Sequence, residues 1–498
     1  AYSRFWFEVD NNLVSYNAKS ITHAEGSGMR WFPYNKGGKY RKWYGNNETV
    51  VNFIDTFTNP KLRKVFSFSN YNKYFCKNIT WPKSSFGNPN FRFNDSGTII
   101  GDVGPCIVKK SEVSLEYLVG FLNTNVAKKI LATLNDSRST QTGDIQKLPI
   151  IFSKTEYVED KSINCICVSK SEWDSFETSW DFKKHPLLGN GKLSKLFTEY
   201  QHLTQFNFDT LKTNEELLNE FFINLYGLQD ELSKDVDDKN VSLSIADKER
   251  DTKSLISYLV GVLMGRYSLS EEGLIYAGGI FDPSRYGQHD VVQDGIIPIY
   301  SDISIEDGLV HRIIGLIKDI YGVENYRDNI SFIAEALGKK SNETSEETLN
   351  RYLNDGFYQD HLKIYQKRPI YWMFSSGKLS GFKCLIYMHR YNQDTLAKIN
   401  AGYFQPATTI LRNQINEIER QMSIVGDSEK RILDKKRLTL VEQLNEAREY
   451  GQVLDYMANK YLSIDLDDGV KVNYAKFQGI EVTTNNGKVK KDLLVPIK

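Results

Sequence analysis

The sequence predicts an α+β multidomain protein: a mixed α/β domain first, then a largely helical region that includes a long helical hairpin. Three observations carry this. Residues 1–150 alternate short apolar runs with loops rich in Trp, Tyr, Phe, Gly, Asn and Pro, whereas much of 151–498 repeats apolar residues at helical spacing. The 498 residues carry 63 Lys+Arg and 63 Asp+Glu, yet residues 1–150 hold 20 basic and 11 acidic side chains and 151–498 hold 43 and 52. The zero total therefore cancels between a basic region and an acidic one, and it does not exclude a nucleic-acid partner. A 40% hydrophobic and 13% aromatic composition excludes a disordered chain and supplies cores for several domains.

Four segments are expected: 1–155, a connector over 156–240, a mixed helical domain over 241–400, and a helical arm with a short-strand tail over 401–498. In the first, RFWFEV (4–9) and TIIGDVGPCIV (98–108) read as strands. EVSLEYLVGFLNTNVAKKILATL (112–134) reads as one amphipathic helix, Asn135–Ser137 as a polar turn, and QKLPIIF (146–152) as the next strand. INCICVS (163–169) reads as a strand that places Cys165 and Cys167 on one face as a buried thiol pair. SEWDSFETSW (171–180) opens with a capping-box pattern at Ser171 and Asp174. TNEELLNEFFINLYGLQDEL (213–232) predicts a helix capped by Thr213 or Asn214, with Leu217, Leu218, Phe221, Phe222 and Leu225 as its apolar stripe. Further helices are expected near 250–266, 306–319, 329–337 and 345–366, with aromatic and Gly-rich loops at 276–290 and 366–383. CLIYMHRY (384–391) reads as a buried strand, and 407–460 as two long helices joined by IVGDS (424–428). The tail from DLDDGVKVNY (465–474) onward reads as turn and short strand.

Several function classes drop out. Five cysteines with no second pair at zinc spacing beside Cys165/Cys167, and seven histidines without HExxH, give no metal site, and they fit a reducing, cytoplasmic setting. The strongest apolar run, LISYLVGVLMG (255–265), is stopped by Arg266, short of the roughly 18 residues a membrane span needs, so no membrane is expected. GSG (26–28) and the GG pairs at 37–38 and 278–279 form neither GxGxxG nor GxxxxGK[ST]. LDDG (466–469) and DGIIP (294–298) read as turns. Asp282, Arg285, His289 and Asp290, with Lys367, Arg368, His389 and Arg390, do not converge on a nucleophile–base set, which favours a structural charge network over a nuclease centre. The chain opens on AYSRFWFEVD, which reads as the interior of a domain, so a fragment or processed product is expected.

The most specific local signal is HAEGSGMRWFPYNKGGKYRKWYG (23–45), where Arg30, Lys36, Lys39, Arg41 and Lys42 stand among Trp31, Phe32, Tyr34, Tyr40, Trp43 and Tyr44. Such cations can neutralise phosphates, and aromatic faces can stack on bases. Nucleic-acid contact and a plain solvated loop both fit the pattern.

Longer strings add a resemblance. GMRWFPYNKGGKYRKWYGN (28–46), LLNEFFINLYGL (217–228), LMGRYSLSEEGLIYAGGIFDP (263–283), YQKRPIYWMFSSGKLSGFKCLIYMHRY (365–391) and DLDDGVKVNY (465–474) resemble, together, the C-terminal two-fifths or so of the PglX-type methyltransferases of BREX phage defence, relatives of restriction–modification enzymes. The resemblance implies methyl transfer from S-adenosylmethionine to adenine N6 in duplex DNA by a Rossmann-like domain with an Asn-Pro-Pro-Tyr motif. That motif is missing; NPN (88–90) and NP (59–60) are the nearest strings. The expectation is therefore that the catalytic, cofactor-binding half lies N-terminal to Ala1. The helix EYLVGFLNTNVAKKIL (116–131) followed by TGDIQKLPI (142–150) is similar to target-recognition domains. By that likeness Arg30, Lys36, Lys39, Arg41 and Lys42 become candidates for DNA contact, with Trp31 and Tyr34 stacking or supporting the loop. Expected partners are double-stranded DNA and, through the acidic helical remainder, other BREX proteins or a phage inhibitor; the setting implied is a prokaryotic cytoplasm. The alternatives are an interaction module and a cryptic metal-dependent nuclease.

Overall fold

A computed structural model describes residues 2–59, 61, 71–84, 90–110, 113–135, 139–287, 291–484 and 487–497. His289 and Asp290, the Pro60 and Asn88-Pro89 parts of the two NP strings, and Asp136 and Ser137 of the expected polar turn lie outside the described residues. The chain forms two compact units: residues 1–6, 11–187 and 195–247 make unit 1, and residues 7–10, 188–194 and 248–498 make unit 2. Small sheets, one mixed and the others antiparallel, alternate with extensive helix.

Unit 1 holds β1 (Ser3–Phe5), α1 (Ile21–Gly26), β2 (Trp31–Asn35), β3 (Thr49–Asn52), α2 (Phe53–Thr58), β4 (Asn78–Thr80), β5 (Arg92–Asn94), β6 (Ile99–Ile100) and β7 (Cys106–Val108). One sheet has the order β1-β3-β2-β6, antiparallel except for β2–β6; the other, β5-β4-β7, is antiparallel. A buried amide chain stitches the two sheets. Asn94 donates to Asn35 (2.7 Å), Asn35 to Asn78 (3.0 Å), and Asn78 to the Thr98 hydroxyl (2.9 Å). Each amide makes at least one hydrogen bond that offsets its burial, while Asn94 Oδ1 is left buried without a partner among the described residues.

Helices follow: α3 (Leu115–Leu122), α4 (Asn125–Leu134), α5 (Thr142–Gln146), α6 (Thr155–Trp173) and α7 (Leu193–Tyr226). The single helix expected over 112–134 is broken, because Asn123 pairs both ways with the Phe91 backbone (3.0 Å each) and Thr124 caps α4. The strand expected over 146–152 does not form: the Tyr117 hydroxyl donates to the Ile151 carbonyl (3.0 Å) and accepts from the Ser153 amide (3.2 Å), so this backbone is paired by side chains. INCICVS is helix, inside α6. Its period is 3.6 rather than 2, so Cys165 is buried while Cys167 is exposed. Ser171 sits in the last turn of α6 and caps nothing, and Thr213 and Asn214 lie mid-helix in the 34-residue α7. An N-cap needs a non-helical residue, and here the chain is already helical. Leu218 and Phe222 do supply the buried part of the expected stripe. α7 stops at Gly227, whose φ of +67° suits the left-handed C-terminal position.

Unit 2 holds α8 (Lys248–Met264), β8 (Ile296–Pro298), α9 (Leu309–Tyr321), α10 (Tyr326–Ala336), α11 (Ser345–Arg351), α12 (Phe357–Ile364), β9 (Tyr371–Ser375), β10 (Lys383–Tyr387), α13 (Thr395–Lys398), α14 (Gln405–Met422), α15 (Asp427–Ala458), α16 (Gly469–Ala475), β11 (Ile480–Thr484) and β12 (Gly487–Lys491). The expected helices and the long hairpin α14–α15 are present, but the strand expected over 384–391 ends at Tyr387, where Met388–Arg390 turn into a short 3-10 helix. The tail differs: residues 469–475 are helical before the β11–β12 hairpin. β10 is the central strand of an antiparallel β8-β10-β9 sheet, and β9 beside it is buried throughout. Glu446 of α15 fastens the β9–β10 turn, accepting from the Ser376 hydroxyl (2.8 Å) and the Leu379 amide (2.9 Å).

Two buried histidines give unit 2 a pH dependence. His361 Nε2 accepts the Ile370 and Tyr371 amides (3.1 Å each), and His389 Nε2 lies 3.1 Å from the Val9 carbonyl oxygen. Burial, reinforced by the Arg266 guanidinium, pulls both imidazoles down to about 3. Above pH 6.5 both folded and unfolded imidazoles are neutral and stability is full; below it the unfolded chain takes up protons that the folded one refuses. Each histidine should therefore cost roughly 2 kcal/mol by pH 5. Urea midpoints at pH 7 and pH 5 check this. His361→Gln keeps an acceptor but cannot titrate, so its pH dependence should shrink; an unchanged slope contradicts the assignment.

Candidate nucleic-acid interface

The basic–aromatic segment runs from α1 through β2 into a loop wedged against α6 and α7, and its cations separate into two groups. Arg30 precedes β2 and sits 3.6 Å from Asp55, both side chains about half exposed (43% and 53%). Trp31 is 1% exposed and packs within the sheet, its backbone paired with Asn52, so it offers no face for stacking on a base. Tyr34 is half-buried on β2 opposite Ile99. Burial and then the Asp102 carboxylate raise its phenol, which stays protonated. Asn35 is buried in the amide chain, and Lys36 follows it directly into solvent. Lys39 is exposed too; its carbonyl is fixed by the Asn46 side chain (2.9 Å). Neither Lys36 nor Lys39 forms an ion pair among the described residues.

The next residues turn inward. The Arg41 guanidinium pairs with Glu172 of α6, donates to the Tyr44 carbonyl (2.7 Å) and lies 4.9 Å over the Trp173 ring. Lys42 Nζ is 2.6 Å from Glu215 of α7, whose other oxygen takes the Trp43 indole N–H at 2.6 Å. Glu215 is 3% exposed and Lys42 8%. Burial alone would lower the Lys42 ammonium, but Glu215 and then Tyr40 more than offset it and hold it above its ordinary value. Trp43 is fully buried at φ +68°, held by backbone bonds to Phe91 and Phe93 (2.9 and 2.7 Å). Gly45 has φ +122°, and a Cβ there would meet the Arg41 side chain. Arg41, Lys42 and Trp31 are thus structural, and Lys36, Lys39 and Arg30 are the cations that reach solvent. The continuous apolar run Trp31-Phe32-Pro33 could have marked Trp31 as buried; no local signal marks Arg41 and Lys42, whose partners lie 131 and 173 residues away.

The other sequence candidates have structural roles within unit 2. Asp282 caps a short turn through the Ser284 amide (2.9 Å), and Arg285 pairs with Glu271 (2.6 Å). Arg368 lies 3.7 Å from Glu8. Arg390 donates to the Val292 carbonyl (2.7 Å) with its guanidinium 3.8 Å over Phe281. Lys367 has φ +58° in the turn after α12. Among the described residues no three His, Cys, Asp or Glu could hold a metal ion, and no helix is long and apolar enough to cross a membrane. The described sheets include no doubly wound parallel sheet of the kind that cradles S-adenosylmethionine.

Over nearly its whole length the chain is homologous to adenine-specific methyltransferases. It is 35% identical over 495 residues to the adenine-specific methyltransferase PglX of Lacticaseibacillus casei (strain Zhang), covering 96% of this chain and 41% of that protein. It is 31% identical over 506 residues to the adenine-specific methyltransferase BrxX of Escherichia coli O9:H4 (strain HS), with the same coverage, 96% and 41%. The chain is thus homologous to PglX and BrxX, and it spans about two-fifths of the length of these relatives. No family model matches it.

Glu215→Gln leaves the buried Lys42 without a counter-charge and should destabilise unit 1 by about 3–5 kcal/mol. Lys36→Gln, at an exposed site, should stay within about 0.5 kcal/mol of the parent. Urea unfolding followed by tryptophan fluorescence separates the two; equal midpoints would contradict the division of roles.

Proposed function

We propose that this chain is the DNA-recognition and scaffold portion of a site-specific adenine-N6 DNA methyltransferase of a phage-defence system. It holds duplex DNA while a separate S-adenosylmethionine-dependent domain methylates an adenine rotated out of the stack. Flipping a base costs a few kcal/mol, so contacts that grip the flanking duplex lower the cost of reaching the flipped state. The observation that carries this role is the homology to two adenine-specific methyltransferases over 96% of the chain. The excess of nine positive charges in residues 1–150, with Lys36 and Lys39 in solvent, supports placing the DNA on this N-terminal part of the chain. In this account Lys36, Lys39 and Arg30 contact phosphates, Tyr34 supports the strand that presents them, and Arg41 and Lys42 hold the loop. The setting is a bacterial cytoplasm, where the DNA to be marked resides.

A second role is favoured by the hairpin α14–α15. Ile424 in its turn is 84% exposed and Ile432 beyond it 69%, which suits docking of another defence protein or a phage-encoded inhibitor.

Fluorescence anisotropy with a labelled duplex over a salt series tests the DNA role. Lys36→Gln/Lys39→Gln should weaken binding about tenfold per lysine at 0.1 M salt and flatten the log–log salt slope by roughly 0.9 for each phosphate no longer neutralised. Unchanged affinity and slope would move the DNA-binding surface elsewhere. The chain alone should transfer no methyl group from S-adenosylmethionine to DNA, and reproducible transfer would overturn the division of labour.

A further inference from the structure

Beside the two sheets of unit 1 lies a cavity of about 430 Å³, within the roughly 300–1,000 Å³ range of small-molecule sites. Lys73, at the end of a short turn (Tyr71–Lys73), and Lys109 and Lys110, which follow β7, line it. All three are exposed, none pairs with a carboxylate among the described residues, and no lining residue is acidic. Three ammonium groups around one unbalanced concavity repel one another, and an anion relieves that repulsion. The rest of the lining is mixed: Asn72, Thr142 and Gln146 are polar, while the half-buried Ile107 and Val108 of β7 form an apolar strip, with Trp81 buried behind and its indole N–H used by the Thr140 carbonyl (2.9 Å). The loop carrying Lys36 and Lys39 packs against Pro82, next in sequence to the lining residue Trp81: a Cβ on Gly37 would sit 3.4 Å from it.

We infer that this cavity is a nucleoside-phosphate site, in which Lys73, Lys109 and Lys110 take the phosphate and the half-buried Ile107–Val108 strip takes the base. It deepens the DNA-binding role of unit 1 and rests on it for the source of the nucleotide. The same chemistry is offered by one nucleotide of a DNA strand and by a free nucleotide, and the two sources can be told apart.

Cys76 is an exposed thiol lining the cavity and serves as its reporter. Cys106 lines it too, but burial pushes its thiol up to about 12, partly countered by Lys73, so it alkylates slowly at neutral pH. Cys167, exposed on α6, is the internal reference. The rate of iodoacetamide alkylation at each cysteine is read by mass spectrometry with a duplex oligonucleotide, a single-stranded oligonucleotide or dAMP. At least one probe should slow Cys76 about fivefold or more without affecting Cys167, and Lys73→Gln/Lys109→Gln/Lys110→Gln should abolish that protection. Protection by oligonucleotides alone assigns the site to a strand nucleotide; protection by dAMP as well shows that free nucleotide also enters. If DNA binds by anisotropy yet Cys76 is unprotected by every probe, the cavity assignment fails while the DNA role stands. If dAMP protects and DNA does not bind, the cavity stands and the DNA role fails. Protection that survives in the triple variant, or no protection and no DNA binding, overturns the site.

Discussion

Two buried carboxylates set the arrangement on which the basic face of unit 1 depends. Glu172 on α6 takes Arg41, and Glu215 on α7 takes both Lys42 and the Trp43 indole. These pairs are satisfied on several sides, which is the condition under which a buried ion pair repays its desolvation. With the end of the loop clamped and its start fixed by β2, the four residues 36–39 can go only outward. The exposed lysines are therefore presented by a rigid frame rather than by a free loop, and less order has to be imposed when a ligand arrives.

Most of the helical part of the fold was legible in the sequence, because α8–α12 and the α14–α15 hairpin carry apolar residues at 3.6 spacing with recognisable ends. The failures have specific physical causes. INCICVS contains enough β-branched and thiol residues to look like a strand, but its one buried thiol, Cys165, belongs to a helical period. QKLPIIF has strand composition, yet tyrosine hydroxyls take the place of a neighbouring strand. In both cases tertiary contacts overrode local preference.

The candidate site was legible in outline and not in detail. Composition located the basic stretch, and the string resemblance agrees with the homology over 96% of the chain. What could not be read was which cations are spent inside, since Glu215 and Lys42 stand 173 residues apart. The lysines at 73, 109 and 110 carry no sequence signal for a related reason: they are far apart or merely paired in sequence, and the β4–β7 pairing brings their segments together.

Amide hydrogen exchange over residues 36–46, with and without duplex DNA, tests the central claim most directly. The account predicts that the amides of Lys42 and Trp43, bonded to Ser242 and Phe91, exchange slowly in both states, while those of residues 36–39 slow only when DNA is added. Fast exchange at 42–43 in the free protein, or DNA-dependent slowing there and none at 36–39, would contradict it.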